Sequence, residues 1–220
     1  MPHHPPRVVL YSRTTAYRHD SIPAGVEAVG RLVAEDGFES VATEDPAALE
    51  REIPRCAVVV FLSTSGEVLT PAARDALRRH LAGGGGFVGI HAAACTEYDW
   101  PYYGELLGAR FARHPDLQPG TVAVTDHAHP ATRHLDARWD FTDEWYDFRA
   151  VPAGVRVLAR AHESSYTGGG MGADHPLVWC HERMGGPVFY TALGHTAESF
   201  ADPVFLAHLR GGIRYAAGRE

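Results

Sequence analysis

Two histidines stand where short apolar runs give way to small or polar residues: His91 closes FVGIH, and His195 lies in YTALGHTAE. An imidazole at the tip of a rigid strand is held firmly enough to serve as a general acid or base, or as a metal ligand. Acidic groups follow each of them, Glu97 and Asp99 after His91 and Glu198 after His195. In TDEWYDF, Asp143 and Glu144 are adjacent; on a strand they face opposite sides, so only one joins a site. Glu144 is the choice, because its aromatic neighbours would strip water from it. His19, in YRHDS, comes just ahead of a helix start whose free N–H groups favour an anion or a hydroxyl-rich ligand. Taken singly, each residue also fits a structural role, the histidines as satisfied core groups and the carboxylates as solvated surface groups.

The elements that must position these residues alternate. RVVLYS (7–12), FESVATE (38–44), CAVVVFLS (56–63) and FVGIH (87–91) read as strands, the third and fourth apolar enough for a sheet covered on both faces. Between them, Ile22, Val26, Val29 and Val33 form a helical stripe entered through Asp20, Ser21 and Pro23. PAALERE and TPAARDALRRHLAGGGG supply two more helices. Strand, helix, strand, helix predicts a parallel sheet with helices on both faces. TVAVTD, WDFTDEWYDF and VRVLARAHE read as antiparallel additions at one edge. PLVWCHE and PVFYTALGHT form a hairpin about RMGG, and a closing helix starts at Asp202. No repeat or linker interrupts the pattern, which predicts one domain over residues 1–220.

Ligands of open parallel sheets bind beyond the carboxyl ends of the strands. Those ends carry Arg18 and His19, then Ser63 and Thr64, then His91, Cys95, Glu97 and Asp99, and finally His195 and Glu198. Trp100 and Tyr146, with Tyr98 and Trp145, are rings able to stack on a sugar face or to fill the core. GGGMGADHP reads as a flexible loop covering the site, with His175 at its end. His127 and His129 share an H-x-H spacing, but the proline after them favours a turn over a metal site, and His114 and His134 read as surface residues. GGGG (83–86) lacks the Lys of a phosphate loop and needs only a helix cap and a turn to explain it.

A net charge of -7 provides no clustered basic surface for nucleic acid or an anionic membrane. Three scattered cysteines and no apolar segment ahead of the first strand predict reduced thiols in a cytoplasmic protein without a membrane span. A homodimer is compatible with this composition.

Long stretches of the sequence resemble the ThuA-like family, named for trehalose utilisation. They are YSRTTAYRHDSIPAG, VVVFLSTSGEVL, GGGFVGIHAAACTEYDWPYYGELLGARF, DEWYDF, HPLVWCHERMGGPVFYTALGHTAESF and FLAHLRGGIRYAAG. The resemblance implies a class I glutamine amidotransferase-like, flavodoxin-like sheet. It puts His91 at the nucleophile position of true amidotransferases and sets Glu198 one residue further from His195 than their pattern has it. The amidotransferase triad is therefore broken. What remains is a set for acid-base chemistry by His91, His195, Glu144 and Glu198, or for a divalent metal such as zinc on His19, His91 and His195. The resemblance further implies a carbohydrate substrate, a 3-keto glycoside made by a sugar oxidoreductase and cleaved by a lyase or hydrolase. Two rivals stay open: a non-catalytic sugar-binding or regulatory module, and a thiol hydrolase using Cys95.

Overall fold

The computed structural model describes residues 5–219. Its first half alternates: β1 (Arg7–Tyr11), α1 (Ile22–Glu35), β2 (Glu39–Thr43), α2 (Pro46–Glu52), β3 (Val58–Leu62), a two-residue β4 (Ser65–Gly66), α3 (Pro71–Ala82), β5 (Gly86–Ile90), a two-residue β6 (Cys95–Thr96) and α4 (Pro101–Leu107). The second half is strand-rich: β7 (Phe111–Arg113), β8 (Gln118–Val124), β9 (Arg138–Asp143), β10 (Asp147–Phe148), β11 (Arg156–Ala161), β12 (Pro176–His181) and β13 (Val188–Thr191). Helix α5 (Pro203–Ala216) closes the chain.

Nine strands form one sheet in the order β2-β1-β3-β5-β13-β12-β11-β8-β9. The first five run parallel, and β12, β11, β8 and β9 extend one edge antiparallel. This is the flavodoxin-like α/β architecture expected from the alternation. Every residue of β3 and β5 is buried, so both sheet faces are covered there. Helix α1 packs on α5 and α2 on α3, forming the two covering layers. The register Val60↔Val88 and Tyr190↔Gly89 brings the C-terminal ends of β3, β5 and β13 to one rim.

Local chemistry explains most boundaries. Asp45, Thr70 and Asp202 accept backbone N–H groups at the starts of α2, α3 and α5, each followed by proline. Helix α1 differs: Ser21 holds the N-cap place, but its side chain makes no capping bond. In the β12–β13 hairpin, a Cβ on Gly186 would lie 2.0 Å from the carbonyl oxygen of Gly85, so only glycine fits that close approach. Two expectations change. WDFTDEWYDF is not one strand, because β9 ends at Asp143 and β10 pairs instead with β7 in a separate ribbon. Helix α4 stands where the sequence reads as irregular; its seven residues are too few for a periodic stripe. Among the described residues no helix is long and apolar enough to cross a membrane.

Candidate active site

The chain turns sharply where β5 ends. His91 opens a 3-10 turn with φ 50°, in the left-handed region that costs a non-glycine residue about 1 kcal/mol or more. Several contacts hold it there. Its Nδ1–H donates to the Ala192 carbonyl at 2.7 Å, and its own carbonyl accepts from the Tyr190 hydroxyl at 3.0 Å. With Nδ1 committed as donor, Nε2 carries the lone pair and points into the site.

That lone pair meets other polar atoms. His19 Nε2 lies 3.1 Å from His91 Nε2, the Tyr146 hydroxyl 2.9 Å, and Glu144 Oε2 3.6 Å. His195 Nδ1 is 3.0 Å from the same Glu144 oxygen but without the alignment of a hydrogen bond, so both atoms face a shared space. Buried Asp143 sits behind this group. It accepts the backbone N–H groups of Glu144, Gly194 and His195, and Gly194 can present its N–H because φ 117° is open to glycine. Both neighbours therefore serve the site, one by side chain and one by support, because the strand ends between them. His195 stands four residues past the end of β13, in a turn that Asp143 pins, and not at the strand tip itself.

Electrostatics set the protonation states. Burial, with His91 and His195 alongside, pushes the His19 imidazole down to about 3, leaving it neutral. One His19 ring nitrogen, Nδ1, is buried without a partner. Burial works to raise Glu144, yet His195 and His91 hold its carboxyl well below the usual range. The Glu144 carboxylate in turn raises His195.

Three imidazoles and one carboxylate, His19, His91, His195 and Glu144, offer ligand atoms all within 4.8 Å of one another. Zinc with bonds of about 2.0–2.2 Å sets neighbouring tetrahedral donors roughly 3.3–3.6 Å apart, and the contacts above fall close to that spacing. His19 Nε2 and His91 Nε2 share a hydrogen bond at 3.1 Å, which leaves the buried His19 Nδ1 without a partner. The set fits a divalent ion.

A cavity of about 480 Å³ opens beside the cluster, bordered by His19, Glu144 and Tyr146 and by Tyr17, Phe111 and His114. His114 donates Nδ1–H to the Pro115 carbonyl at 2.8 Å, and its Nε2 lies 3.5 Å from Glu144 Oε1. Sequence reasoning placed His114 on the surface; it reaches the site because β7 pairs with β10, a non-local register that no local pattern marks. Tyr98 and Cys95 also border the cavity. Burial pushes the Cys95 thiol up to about 12, which leaves little thiolate for nucleophilic attack.

The other expected site residues lie elsewhere. Glu198 is exposed on a 3-10 turn, over a separate hollow that it shares with Asp140 and Asp202. Arg18 pairs with Glu44 at 2.7 Å over another hollow. Glu97 is fully buried, accepting the N–H groups of Val68 and Leu69 and pairing with Arg74, and Asp99 is exposed beside it. Ser63 is buried at φ 47°, and Thr64 bonds to Thr96. Trp100 stacks on Tyr102 and Tyr103 beneath Arg74 and Arg78, while Trp145 is buried against Tyr166. Neither borders the cavity. His175 is fully buried, bonded to Glu163 at 2.7 Å and to the Tyr146 carbonyl at 2.8 Å. It anchors the glycine-rich loop, which does not border the cavity.

A parallel sheet whose central strand ends in a left-handed residue, with a polar cluster above it, defines a glutamine amidotransferase-like α/β protein with histidine at the elbow. The family profile for trehalose utilisation, ThuA, matches residues 7–216, and the chain belongs to that family. A ThuA-like protein from Bacteroides uniformis is 25% identical with a TM-score of 0.80, over 96% of this chain and 91% of that one. Another from Parabacteroides merdae is 18% identical, TM-score 0.80, over 98% and 91%. A GMP synthase subunit from Thermoplasma acidophilum shares the fold at 12% identity, TM-score 0.59, over 98% and 96%. No curated protein matches the sequence. Family membership supports a role in carbohydrate metabolism.

Proposed function

We propose that the cluster is the active centre of an enzyme that cleaves an oxidised, 3-keto glycoside, with a divalent metal such as zinc held by His19, His91, His195 and Glu144. The observation that carries this reading is the convergence of His19, His91, His195 and Glu144, whose ligand atoms all lie within 4.8 Å of one another. A bound ion would supply a Lewis acid toward a substrate oxygen. The residues left free move protons. His114 borders the cavity, its Nδ1–H held by the Pro115 carbonyl, and serves as the base. A 3-keto group acidifies the neighbouring C2–H. Removal of that proton lets the electron pair form the C1–C2 double bond as the C1–O bond breaks, and the departing oxygen takes up a proton. Tyr146, whose hydroxyl burial holds protonated far above neutral pH, stands at the site to stabilise that oxygen. An oxidoreductase acting at C3 of the sugar must supply the substrate.

The test is metal analysis of the purified protein, then incubation with 3-keto-trehalose and with trehalose. The expected result is about one ion per chain and glucose released from the keto form alone. Sugar binding measured by calorimetry with no product from either compound would instead favour a non-catalytic binding module.

A further inference from the structure

The cavity beside the cluster has two chemically unlike ends. One is the polar corner of Glu144 and His19. The other is walled by Tyr17, Tyr98, Phe111 and Tyr146, with Ala16 and Ala92 between them. Two of the polar groups on that wall already have partners inside the protein: the Tyr98 hydroxyl donates to the Phe111 carbonyl at 3.0 Å, and Ser65 Oγ donates to the Tyr17 carbonyl. The His114 Nδ1–H is spent on Pro115.

A second sugar ring laid against this wall would give up the water on its hydroxyls and find few replacement partners. An aromatic ring has no such loss to recover. It also meets ring faces and edges: Phe111 and Tyr146 lie with centroids 4.5 Å apart at 57°, and His114 stacks on Tyr146 at 5.8 Å and 26°. A volume of about 480 Å³ lies within the range of small-molecule sites and has room for one sugar and one ring.

We infer that the glycosides bound here carry an aromatic aglycone, with the oxidised sugar at the polar corner and the aryl group against the Tyr98–Phe111–Tyr146 wall. The inference deepens, and rests on, the glycoside-cleaving reading of the cluster. It also agrees with the chemistry: a phenol, with a pKa near 10, leaves more readily than a sugar hydroxyl, so Tyr146 has less to stabilise.

Calorimetry on the full chain, with its metal content recorded, compares phenyl α- and β-glucopyranoside with trehalose. The expected result is at least tenfold tighter binding of one phenyl glucoside. Phe111→Ala should cut that preference below threefold and Phe111→Leu should keep most of it. Ala16→Asn, on the exposed rim, should narrow the gap by improving trehalose. Equal or tighter binding of trehalose, or binding of neither compound, overturns the inference. Turnover of the 3-keto forms separates it from the parent reading. Cleavage of both keto forms with equal kcat/KM leaves the function standing and removes the aromatic preference. A tenfold binding preference with no cleavage of either keto form removes the catalytic reading and leaves the aromatic subsite.

Discussion

Two clusters of histidine and carboxylate lie on opposite sides of Tyr146, and their hydrogen bonding differs. Around His175, Nδ1 lies 2.7 Å from Glu163 Oε1 and 3.1 Å from the Tyr166 hydroxyl, and Nε2 lies 2.8 Å from the Tyr146 carbonyl. Glu163 Oε1 also accepts the N–H groups of Met171 and Gly172, and Asp147 accepts from Gly170 and pairs with Arg113. That cluster is tied to the backbone of the glycine-rich loop and does not border the cavity. Around His91, by contrast, two imidazole nitrogens face each other, and His195 and Glu144 approach without hydrogen-bond alignment. Both sets have ligand-like composition and spacing. The difference teaches that proximity alone does not make a binding site: carboxylates engaged by the backbone N–H groups of a loop hold that loop, whereas the first cluster opens on a cavity that a ligand can enter.

The largest test of that contrast is His91→Ala. It removes the nitrogen on which the first cluster converges, and bound metal and turnover should both fall at least a hundredfold. Ala suits the 3-10 turn apart from the positive φ it inherits, so circular dichroism should stay native. Metal retained at one ion per chain in this variant would mean that the convergence of imidazoles has no binding role.

How much of this was legible beforehand depends on the distance along the chain over which each residue is positioned. His91 was readable because an apolar run ends on it, and His19 because a helix begins two residues beyond Asp20. Glu144 was chosen for its aromatic flanks, and it does reach the cluster, though the strand expected to carry it stops at Asp143. His114 and Phe111 could not be read, since their place follows from β7 pairing with β10 across more than thirty residues. Glu198 misled because three residues past His195 suggests proximity, whereas the 3-10 turn there sends the side chain to solvent. The parallel sheet with helices on both faces followed from alternation and hydrophobic length. Which polar groups satisfy one another did not, because that depends on angles no spacing encodes.

Acidification probes the packing beneath both clusters. Burial is the main cause that pushes His129 and His181 down to about 4 and His208 to about 3. Unfolded, these residues titrate near 6.5. Between those values the unfolded chain binds protons that the folded chain refuses, so stability is fully present above about pH 6.5 and is lost as pH falls toward 4. Each group contributes at most ~1.4 kcal/mol per pH unit, so the three together should cost several kcal/mol between pH 6.5 and 4.5. Urea unfolding of the metal-stripped protein at those two pH values measures this, and an unchanged midpoint would show that these imidazoles are not held neutral by burial.

The smallest effect sharpens the comparison most. Glu163→Gln keeps an acceptor oxygen for Met171 and Gly172 but removes the charge that faces His175 Nδ1. A charge-assisted hydrogen bond contributes about 1.5–3 kcal/mol, so urea unfolding should show a loss near the lower end of that range. Proteolysis within residues 168–175 should accelerate, since Glu163 accepts the N–H groups of Met171 and Gly172 in that loop. Metal content should not change, because neither residue faces the first cluster. Tyr146 bridges them, its carbonyl bonded to His175 and its hydroxyl to His91. If Glu163→Gln also strips the metal, that bridge transmits strain, and the two clusters are one cooperative unit rather than a clasp beside a site.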